Sequence, residues 1–234
     1  MGIDSGMMVE VAEMERCYWS VLYRDRLGDP EWKARVHRRL AMLEGDPNDL
    51  CFMRRIGLTE KPNRILSAGC GTGNFILSWL RYGTSDSVVY GIDLSDEVLA
   101  IARKKAASTG IGDRARLYQG NIERLPWEDG LFDVVHCQDV LEHVSNTEMA
   151  ISELLRVTRP GCYVFIHVPD YRLCFEPHYR VRIRPSCKAQ AMRVLRDLDR
   201  PLEYLEHLNF VDPSRIEQMA RRLSPRSRIM RLGR

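Results

Sequence analysis

A glycine-rich segment followed by a distant aspartate is the feature of this sequence most suited to chemistry. Gly69, Gly71 and Gly73 follow an apolar run, and Asp93 stands twenty-four residues after Gly69, at the end of a second apolar run. Glycines between a strand and a helix let the backbone approach a ligand closely, because a side chain there would fill the ligand's space. A carboxylate closing the next strand can accept hydrogen bonds from both ribose hydroxyls. The pair predicts a nucleoside-bearing ligand.

The spacing of the glycines narrows the class of nucleotide. They follow the pattern G-x-G-x-G, whereas a dinucleotide fingerprint is G-x-G-x-x-G and a P-loop ends in Gly-Lys-Ser/Thr. No lysine lies between Lys61 and Lys104, so the segment itself offers no cation to a polyphosphate. The pattern therefore matches neither of those two phosphate-binding motifs.

Alternating strand and helix patterns must position these residues. Apolar runs predict strands over about 63–68, 87–93, 115–121, 132–138 and 162–168. Segments between them predict helices over about 73–82, 95–108 and 147–158. Strands that alternate with helices are typical of a parallel sheet with right-handed crossovers. The predicted fold class is α/β, a Rossmann-like doubly wound, mostly parallel sheet.

Local signals mark the helix ends and the flanking regions. Ser95 is predicted to cap the second helix, and Ser145 with Glu148 to form a capping box for the third. Residues 1–60 are predicted to form an N-terminal helical extension that is not an independent domain, and 61–234 the main domain. Within it, 171–211 is interpreted as an insertion on the substrate side. A last helix is expected over 213–223, and one more strand over 227–232.

Composition limits the class of protein. The chain has 234 residues, of which 44% are hydrophobic and 29% charged, which is ordinary for a globular protein in water. No apolar run is long enough to predict a transmembrane helix, and the N-terminus lacks the pattern of a signal peptide. Seven cysteines form no C-x-x-C pair, which favours buried thiols in a reducing cytoplasm over disulfides or a metal site. Residues 172–234 are basic, with fifteen Lys/Arg against seven Asp/Glu.

Five segments occur in the order and spacing of a known family. They are Gly69-Cys70-Gly71-Thr72-Gly73, Gly91-Ile92-Asp93-Leu94-Ser95, Gly120-Asn121-Ile122-Glu123-Arg124-Leu125-Pro126, Phe132-Asp133-Val134-Val135 leading into Asp139-Val140-Leu141-Glu142-His143-Val144, and Leu155-Arg156-Val157-Thr158-Arg159-Pro160-Gly161 before Tyr163-Val164-Phe165-Ile166. Over about 63–170 the chain resembles the class I S-adenosylmethionine-dependent methyltransferases, in particular the small-molecule group called type 11. The family's sheet ends in a two-stranded hairpin, for which only one strand is predicted here.

The resemblance implies a set of residues that bind S-adenosylmethionine and release S-adenosylhomocysteine. Asp93 would accept hydrogen bonds from the ribose hydroxyls, and Asn121 would accept one from the adenine amino group. The N–H of Ile122 would donate a hydrogen bond to the adenine ring. Ser67 stands where the family usually has an aspartate near the cofactor's ammonium, so it keeps an acceptor and loses a charge. The full implied set is Ser67, Gly69, Cys70, Gly71, Gly73, Asp93, Leu94, Asn121, Ile122 and Gln138.

Candidates for the acceptor side lie after the fourth and fifth strands. His143 and His178 are the predicted general bases, because a histidine titrates near neutral pH. In open α/β sheets ligands bind outside the carboxyl ends of the strands, where Tyr171, Glu176, Tyr179 and Arg180 are expected to contact the substrate. His167, within the fifth strand, is interpreted as a core histidine.

The predicted function is methyl transfer to a small-molecule acceptor, in particular O-methylation of a hydroxyl on a sugar, a glycan precursor or another metabolite. The segment Gln138-Asp139-Val140 lacks the Asn/Asp-Pro-Pro turn of enzymes that methylate exocyclic amines, and no Pro-Cys nucleophile occurs. No metal is expected in the mechanism. Two alternatives stay open: an RNA or protein methyltransferase that uses the basic C-terminal segment, and a non-catalytic S-adenosylmethionine-binding protein.

Overall fold

The computed structural model describes residues 53–230 apart from 109, 111, 170–174, 177–180, 183–192, 194–195, 197–208, 210 and 212. For residues 175–176 and 181–182 it describes the backbone alone. The predicted N-terminal extension therefore lies outside the described residues, except for 53–60. Among the predicted acceptor-side residues, Tyr171, His178, Tyr179 and Arg180 also lie outside them.

Five strands and four helices of the described residues form an α/β layer structure. The strands are β1 (Arg64–Ala68), β2 (Val88–Asp93), β3 (Ala115–Gln119), β4 (Phe132–Gln138) and β5 (Thr158–His167). The helices are α1 (Asn74–Tyr82), α2 (Asp96–Ser108), α3 (Thr147–Val157) and α4 (Pro213–Leu223), with short 3-10 turns at Leu58–Glu60 and Gly112–Arg114. Two further strands, β6 (Phe175–Glu176) and β7 (Val181–Arg182), form a separate antiparallel pair.

The five strands form one parallel sheet in the order β3-β2-β1-β4-β5. The chain first moves outward from β1 to β3, then returns to the other side of β1 with β4. The strand order therefore reverses between β1 and β4, and in open α/β sheets ligands bind outside the carboxyl ends of the strands at such a point. The predicted Rossmann-like, parallel fold is confirmed.

The sheet is covered on both faces because its central strands are apolar on both sides. Neighbouring residues on a strand face opposite ways, so Ile65 packs with Phe75, Trp79 and Leu99 from α1 and α2, whereas Leu66 packs in the other core. That second core is supplied by β4, α3 and the C-terminal segment. It contains Leu66, Phe132, Val135, Leu141, Ala150, Ile151, Leu154, Val157, Val211 and Ile216.

Helix caps agree with the sequence prediction at α2 and differ at α3. Ser95 Oγ accepts from the N–H of Val98 at 3.3 Å, as predicted. The predicted capping box of Ser145 is wrong, because Asn146 is the N-cap and its Oδ1 accepts from the N–H of Met149 at 3.0 Å. Ser145 Oγ is buried and makes no hydrogen bond within the described part of the chain. Asparagine and serine cap equally well, so packing decided between two adjacent candidates.

The structure also differs from three of the predicted strands. Strand β3 ends at Gln119, which leaves Asn121 in a loop. Strand β5 begins at Thr158, directly after α3. The strand predicted over 227–232 is wrong in its described part, because residues 227–230 have no strand conformation. Met230 is 61% exposed, so its apolar side chain is not packed as a residue of a half-buried strand would be.

One arginine ties α3 to the segment that leads into β4. The guanidinium of Arg156 makes two hydrogen bonds to the Glu153 carboxylate, at 2.6 and 2.8 Å. It also donates to the carbonyls of Leu125 and Trp127 and to Asp129. The hydrogen bonds from Arg156 lower the pKa of Glu153 below its ordinary value. A planar guanidinium is required for this set, since an ammonium cannot make two parallel bonds to a carboxylate.

We expect Arg156→Lys to lower the free energy of unfolding by roughly 1.5–3 kcal/mol, the scale for hydrogen bonds to charged groups. Arg103→Lys is the matched control, because the Arg103–Asp96 ion pair is exposed and such pairs contribute about 0–1 kcal/mol. Urea denaturation of both variants measures the difference. Because the pKa of Glu153 is lowered, its contribution is present above its ordinary pKa and is lost as the pH falls. Equal losses in the two variants would contradict the role of Arg156.

Candidate functional site

The turn between β1 and α1 is built from glycines in the left-handed conformation. Gly69, Gly71 and Gly73 have φ angles of 68°, 51° and 80°, which residues with a Cβ rarely adopt. The N–H of Cys70 donates to the carbonyl of Ile92 at 2.9 Å, and the N–H of Gly73 to the carbonyl of Cys70 at 2.9 Å. The loop is thereby bound to the end of β2 and turns directly into α1.

The three glycines have different surroundings. A Cβ on Gly69 would lie 2.3 Å from a methyl of Val140, and a Cβ on Gly73 would lie 3.1 Å from the Cβ of Ala102. At Gly71, no atom of the described residues other than those of Gly71 and its two chain neighbours lies within 4 Å of the position that a Cβ would take. Packing therefore requires glycine at the first and third positions, whereas the middle one borders open space.

Asp93 stands at the end of β2, beside this loop. Its Oδ2 accepts from the N–H of Gly71 at 2.8 Å and its Oδ1 from the N–H of Ser95 at 3.1 Å. A carboxylate has about four lone-pair sites, so each oxygen can accept a further hydrogen bond. Burial raises the pKa of Asp93, and the backbone hydrogen bonds oppose that shift. Burial, with Asp93 nearby, also raises the pKa of the Cys70 thiol well above its ordinary value.

A buried lysine that the sequence analysis missed supports the glycine loop from α2. Lys105 is 7% exposed, and its Nζ donates to Thr72 Oγ1 at 3.1 Å and to Asn74 Oδ1 at 2.9 Å. The gap without lysines between Lys61 and Lys104 excludes only cations that are close to the loop in sequence. A signal for Lys105 was available, since it lies on the same helix face as Leu99 and Ala102, which are buried.

The loop after β3 carries the predicted adenine contacts. The Oδ1 of Asn121 accepts from the N–H of Glu123 at 2.8 Å, so it shapes the turn in addition to any role toward a ligand. Ile122 is buried. Glu123 is buried as well, and its Oε1 accepts from the N–H of Asn146 at 2.7 Å. This loop is therefore held against the start of α3.

The remaining predicted cofactor residues lie on or next to the central strands. Ser67 is buried near the end of β1, in register between Gly91 of β2 and His136 of β4. Gln138 is the last residue of β4. Leu94 is half-buried after β2. All of them lie at or beside the carboxyl ends of β1, β2 and β4, and their contacts with a ligand stay predictions.

His143 lies in a turn after β4, rather than at an open edge. Its N–H donates to the carbonyl of Val140 at 2.9 Å. Its side chain is 13% exposed, and Nε2 lies 3.8 Å from Oε1 of the fully buried Glu142. The carbonyl of Glu142 accepts from the N–H of Asn209, so the C-terminal segment also packs on this turn. Of the predicted acceptor-side residues, Glu176 is described only as backbone, in β6.

His167 does not lie in the core, which corrects its interpretation from the sequence. It ends β5, its side chain is 42% exposed, and Nδ1 lies 2.8 Å from Oδ1 of Asp139. The N–H of Asp139 donates to the carbonyl of His167 at 3.1 Å. Asp139 has a φ of 53° and is the only non-glycine residue with a positive φ in the described part of the chain. The apolar run of β5 predicted burial on both faces. Strand β5 lies at the edge of the sheet, which leaves its last residue exposed.

Other kinds of site are not seen within the described ranges. No group of three or more His, Cys, Asp and Glu side chains there is placed to hold a metal ion. No helix among those residues has the length and apolar character needed to cross a membrane. The cysteines that the structure describes, Cys70, Cys137 and Cys162, are free thiols.

Comparisons with known proteins agree with this geometry. Residues 66–166 match the family described as "Methyltransferase domain". The malonyl-[acyl-carrier protein] O-methyltransferase of Pectobacterium atrosepticum is 37% identical over 98 residues, which are 42% of this chain and 35% of that protein. The ubiquinone/menaquinone biosynthesis C-methyltransferase of Azotobacter vinelandii is 32% identical over 110 residues, 47% of this chain and 44% of that protein.

The solved structures show the same fold. A SAM-dependent methyltransferase from Aquifex aeolicus superposes with a TM-score of 0.50 at 20% identity, over 74% of this chain and 84% of that one. The chain spans less than half the length of each of the two curated relatives. Residues 66–166 match the methyltransferase domain family, and the resemblance to class I S-adenosylmethionine-dependent methyltransferases drawn from the sequence is confirmed.

Proposed function

We propose that this protein is an enzyme that transfers a methyl group from S-adenosylmethionine to a small-molecule acceptor, at a hydroxyl oxygen. One arrangement carries the proposal: a left-handed glycine loop with open space at Gly71, next to the Asp93 carboxylate that already binds the loop's N–H. A nucleoside placed there would have backbone against it and a carboxylate at its ribose. The domain family supports the methyl transfer itself.

The residues present fit this cofactor. Asp93 has acceptor capacity left for two hydroxyls after its two backbone bonds. Lys105 holds Thr72 and Asn74, so the loop is positioned before a ligand arrives, which lowers the ordering cost of binding. Bound S-adenosylmethionine supplies an electrophilic methyl on a sulfonium. The protein contributes position and exclusion of water.

The proposal that the methyl acceptor is a hydroxyl rests on the segment directly after β4. Asp139, the residue after Gln138, has a left-handed backbone and no proline beside it, unlike the Pro-Pro turn of enzymes that act on exocyclic amines. The two similar relatives act, by their names, at oxygen and at carbon, so membership in the domain family leaves the acceptor atom open. A hydroxyl needs a proton acceptor at this edge, and a histidine stands there.

Calorimetry and methyl-transfer assays test the proposal. We expect S-adenosylmethionine and S-adenosylhomocysteine to bind and NAD not to bind. With [³H-methyl]-S-adenosylmethionine, label should move to compounds below about 1 kDa in a cell extract, and mass analysis should locate the methyl on oxygen. Binding without transfer to any fraction would make this a non-catalytic binding protein.

The salt dependence of acceptor binding distinguishes a small-molecule acceptor from the remaining alternative, an RNA or protein acceptor. Binding to a nucleic acid should weaken steeply with ionic strength, because phosphate contacts release counterions. A small neutral acceptor should show almost no such dependence. Transfer of label to RNA or protein, with a steep salt dependence for RNA, would favour a macromolecular acceptor recognised by the basic segment 172–234.

A further inference from the structure

The carboxyl edge of β4 and β5 carries a histidine–carboxylate pair that the cofactor site does not use. The two strands are parallel neighbours, and Gln138 pairs in register with His167. Both strands therefore end at the same level of the sheet, and Asp139 extends the ladder by donating its N–H to the His167 carbonyl. The side chains then meet, with Asp139 Oδ1 2.8 Å from His167 Nδ1.

The pair lies next to the proposed cofactor loop. Val140 is the residue after Asp139, and its side chain occupies the space at Gly69 that a Cβ would need. The same short segment therefore touches the glycine loop with one residue and holds His167 with the preceding one. Gln138 Nε2 also donates to Asp139 Oδ2 at 3.4 Å. The pair thus lies at the carboxyl edge of β4 and β5, one residue away from the contact between Val140 and the loop that follows β1.

The geometry assigns a tautomer to His167. A carboxylate accepts only, so the Nδ1 atom facing Asp139 carries a proton in the neutral ring. The second nitrogen, Nε2, then holds a lone pair and can take up a proton. When it does so, the resulting imidazolium lies beside the Asp139 carboxylate, which stabilises the charge. The two side chains are 42% and 43% exposed, so the pair is accessible from solvent.

We infer that His167 is the general base of the methyl transfer and that Asp139 is its positioning residue. This inference rests on the proposed function. The acceptor's hydroxyl oxygen uses a lone pair to form the bond to the methyl carbon as the methyl–sulfur bond breaks. The electron pair of that bond stays on sulfur, which becomes a neutral thioether. The hydroxyl proton passes to His167 Nε2.

His143, the base predicted from the sequence, is the rival within the described residues. Its side chain is 13% exposed, beside the buried Glu142, whereas His167 is accessible at the strand edge. A base must reach the proton that it removes, so exposure favours His167. Asp139 also has a left-handed backbone, which is unfavourable for most residues, and it is the residue whose position the pairing requires.

Variants at the pair test the inference with a tritium-transfer assay on the extract fraction below about 1 kDa. We expect His167→Gln to lower turnover roughly 10²–10⁴-fold while the Kd for S-adenosylhomocysteine changes less than about 3-fold. Asp139→Asn keeps a residue that tolerates the left-handed backbone, and its amide can donate to Nδ1, which favours the wrong tautomer. Its turnover should fall at least about 10-fold. Tyr163→Phe, on the same strand and 40% exposed, is the control and should keep wild-type turnover.

Nitrogen NMR supplies a readout that a purely structural role would not move. In ¹⁵N-histidine-labelled protein near pH 8, His167 should show the Nδ1–H tautomer, and Asp139→Asn should shift it toward Nε2–H. The inference is overturned if His167→Gln retains wild-type turnover, if His143→Gln alone abolishes it, or if His167 is Nε2–H in the wild type. Failure of the proposed function looks different, since the unmodified protein would then bind no S-adenosylhomocysteine or transfer no label.

Discussion

Gly71→Val should raise the Kd for S-adenosylhomocysteine at least about 100-fold while the protein remains folded. The added side chain would enter the open space at Gly71, which is the space that the proposed ligand needs, so binding is lost through exclusion. Isothermal titration with S-adenosylhomocysteine measures the effect, and circular dichroism with thermal unfolding reports the fold.

Gly161→Val is the matched control for this substitution. Gly161 also has a positive φ, 83°, and, apart from its own atoms and those of its chain neighbours, no described atom within 4 Å of the position that a Cβ would take. It lies near the start of β5, at the opposite end of the sheet. Both variants carry similar backbone strain, of about 1–3 kcal/mol. Only Gly71→Val should lose binding. Equal loss in both, or normal binding by Gly71→Val, would reduce the loop to a structural turn.

Asp93→Ala should weaken the binding of S-adenosylmethionine by roughly 1.5–3 kcal/mol, the scale for hydrogen bonds to a charged group, or about 10- to 150-fold in Kd. The variant also loses the bonds that Asp93 accepts from the N–H groups of Gly71 and Ser95. Asp93→Asn keeps an acceptor oxygen and should bind with an intermediate Kd. Unchanged affinity in a folded Asp93→Ala protein would remove Asp93 from the site.

The pH dependence of binding gives an independent check on Asp93. Burial raises the pKa of this carboxyl above its ordinary value, and hydrogen-bond donors from a ribose favour the charged form. Affinity should therefore be full well above the raised pKa and should fall as the pH is lowered through it. Asp93→Ala should lose this acid-side decrease, as measured by titrations between about pH 4 and pH 8 under conditions where the protein stays folded.

Much of the fold and of the cofactor side of the site was predictable from the sequence, because both depend on local patterns. Apolar runs separated by amphipathic segments specify strands and helices, and their alternation specifies a parallel sheet. The glycine loop is local as well, since a left-handed turn favours glycine at Gly69, Gly71 and Gly73. Asp93 is the last residue of its strand. Each of these inferences needed only neighbours in the chain.

The remaining features of the site could not be predicted from the sequence, because they depend on which elements lie side by side. His167 and Asp139 are twenty-eight residues apart and meet only because β4 and β5 are paired in one particular register. Lys105 reaches the glycine loop across thirty-three residues, and Arg156 binds carbonyls up to thirty-one residues away. No periodicity in the sequence reports lateral contacts of this kind.

The sequence by itself determined the fold class, the glycine turn and the carboxylate at the end of β2, because backbone conformation and strand periodicity are short-range properties. The tertiary structure decided that His167 meets Asp139 across two strands, which residue caps α3 and which cation supports the loop. Those outcomes depend on sheet order and packing, which place side chains together through contacts between segments distant in the chain.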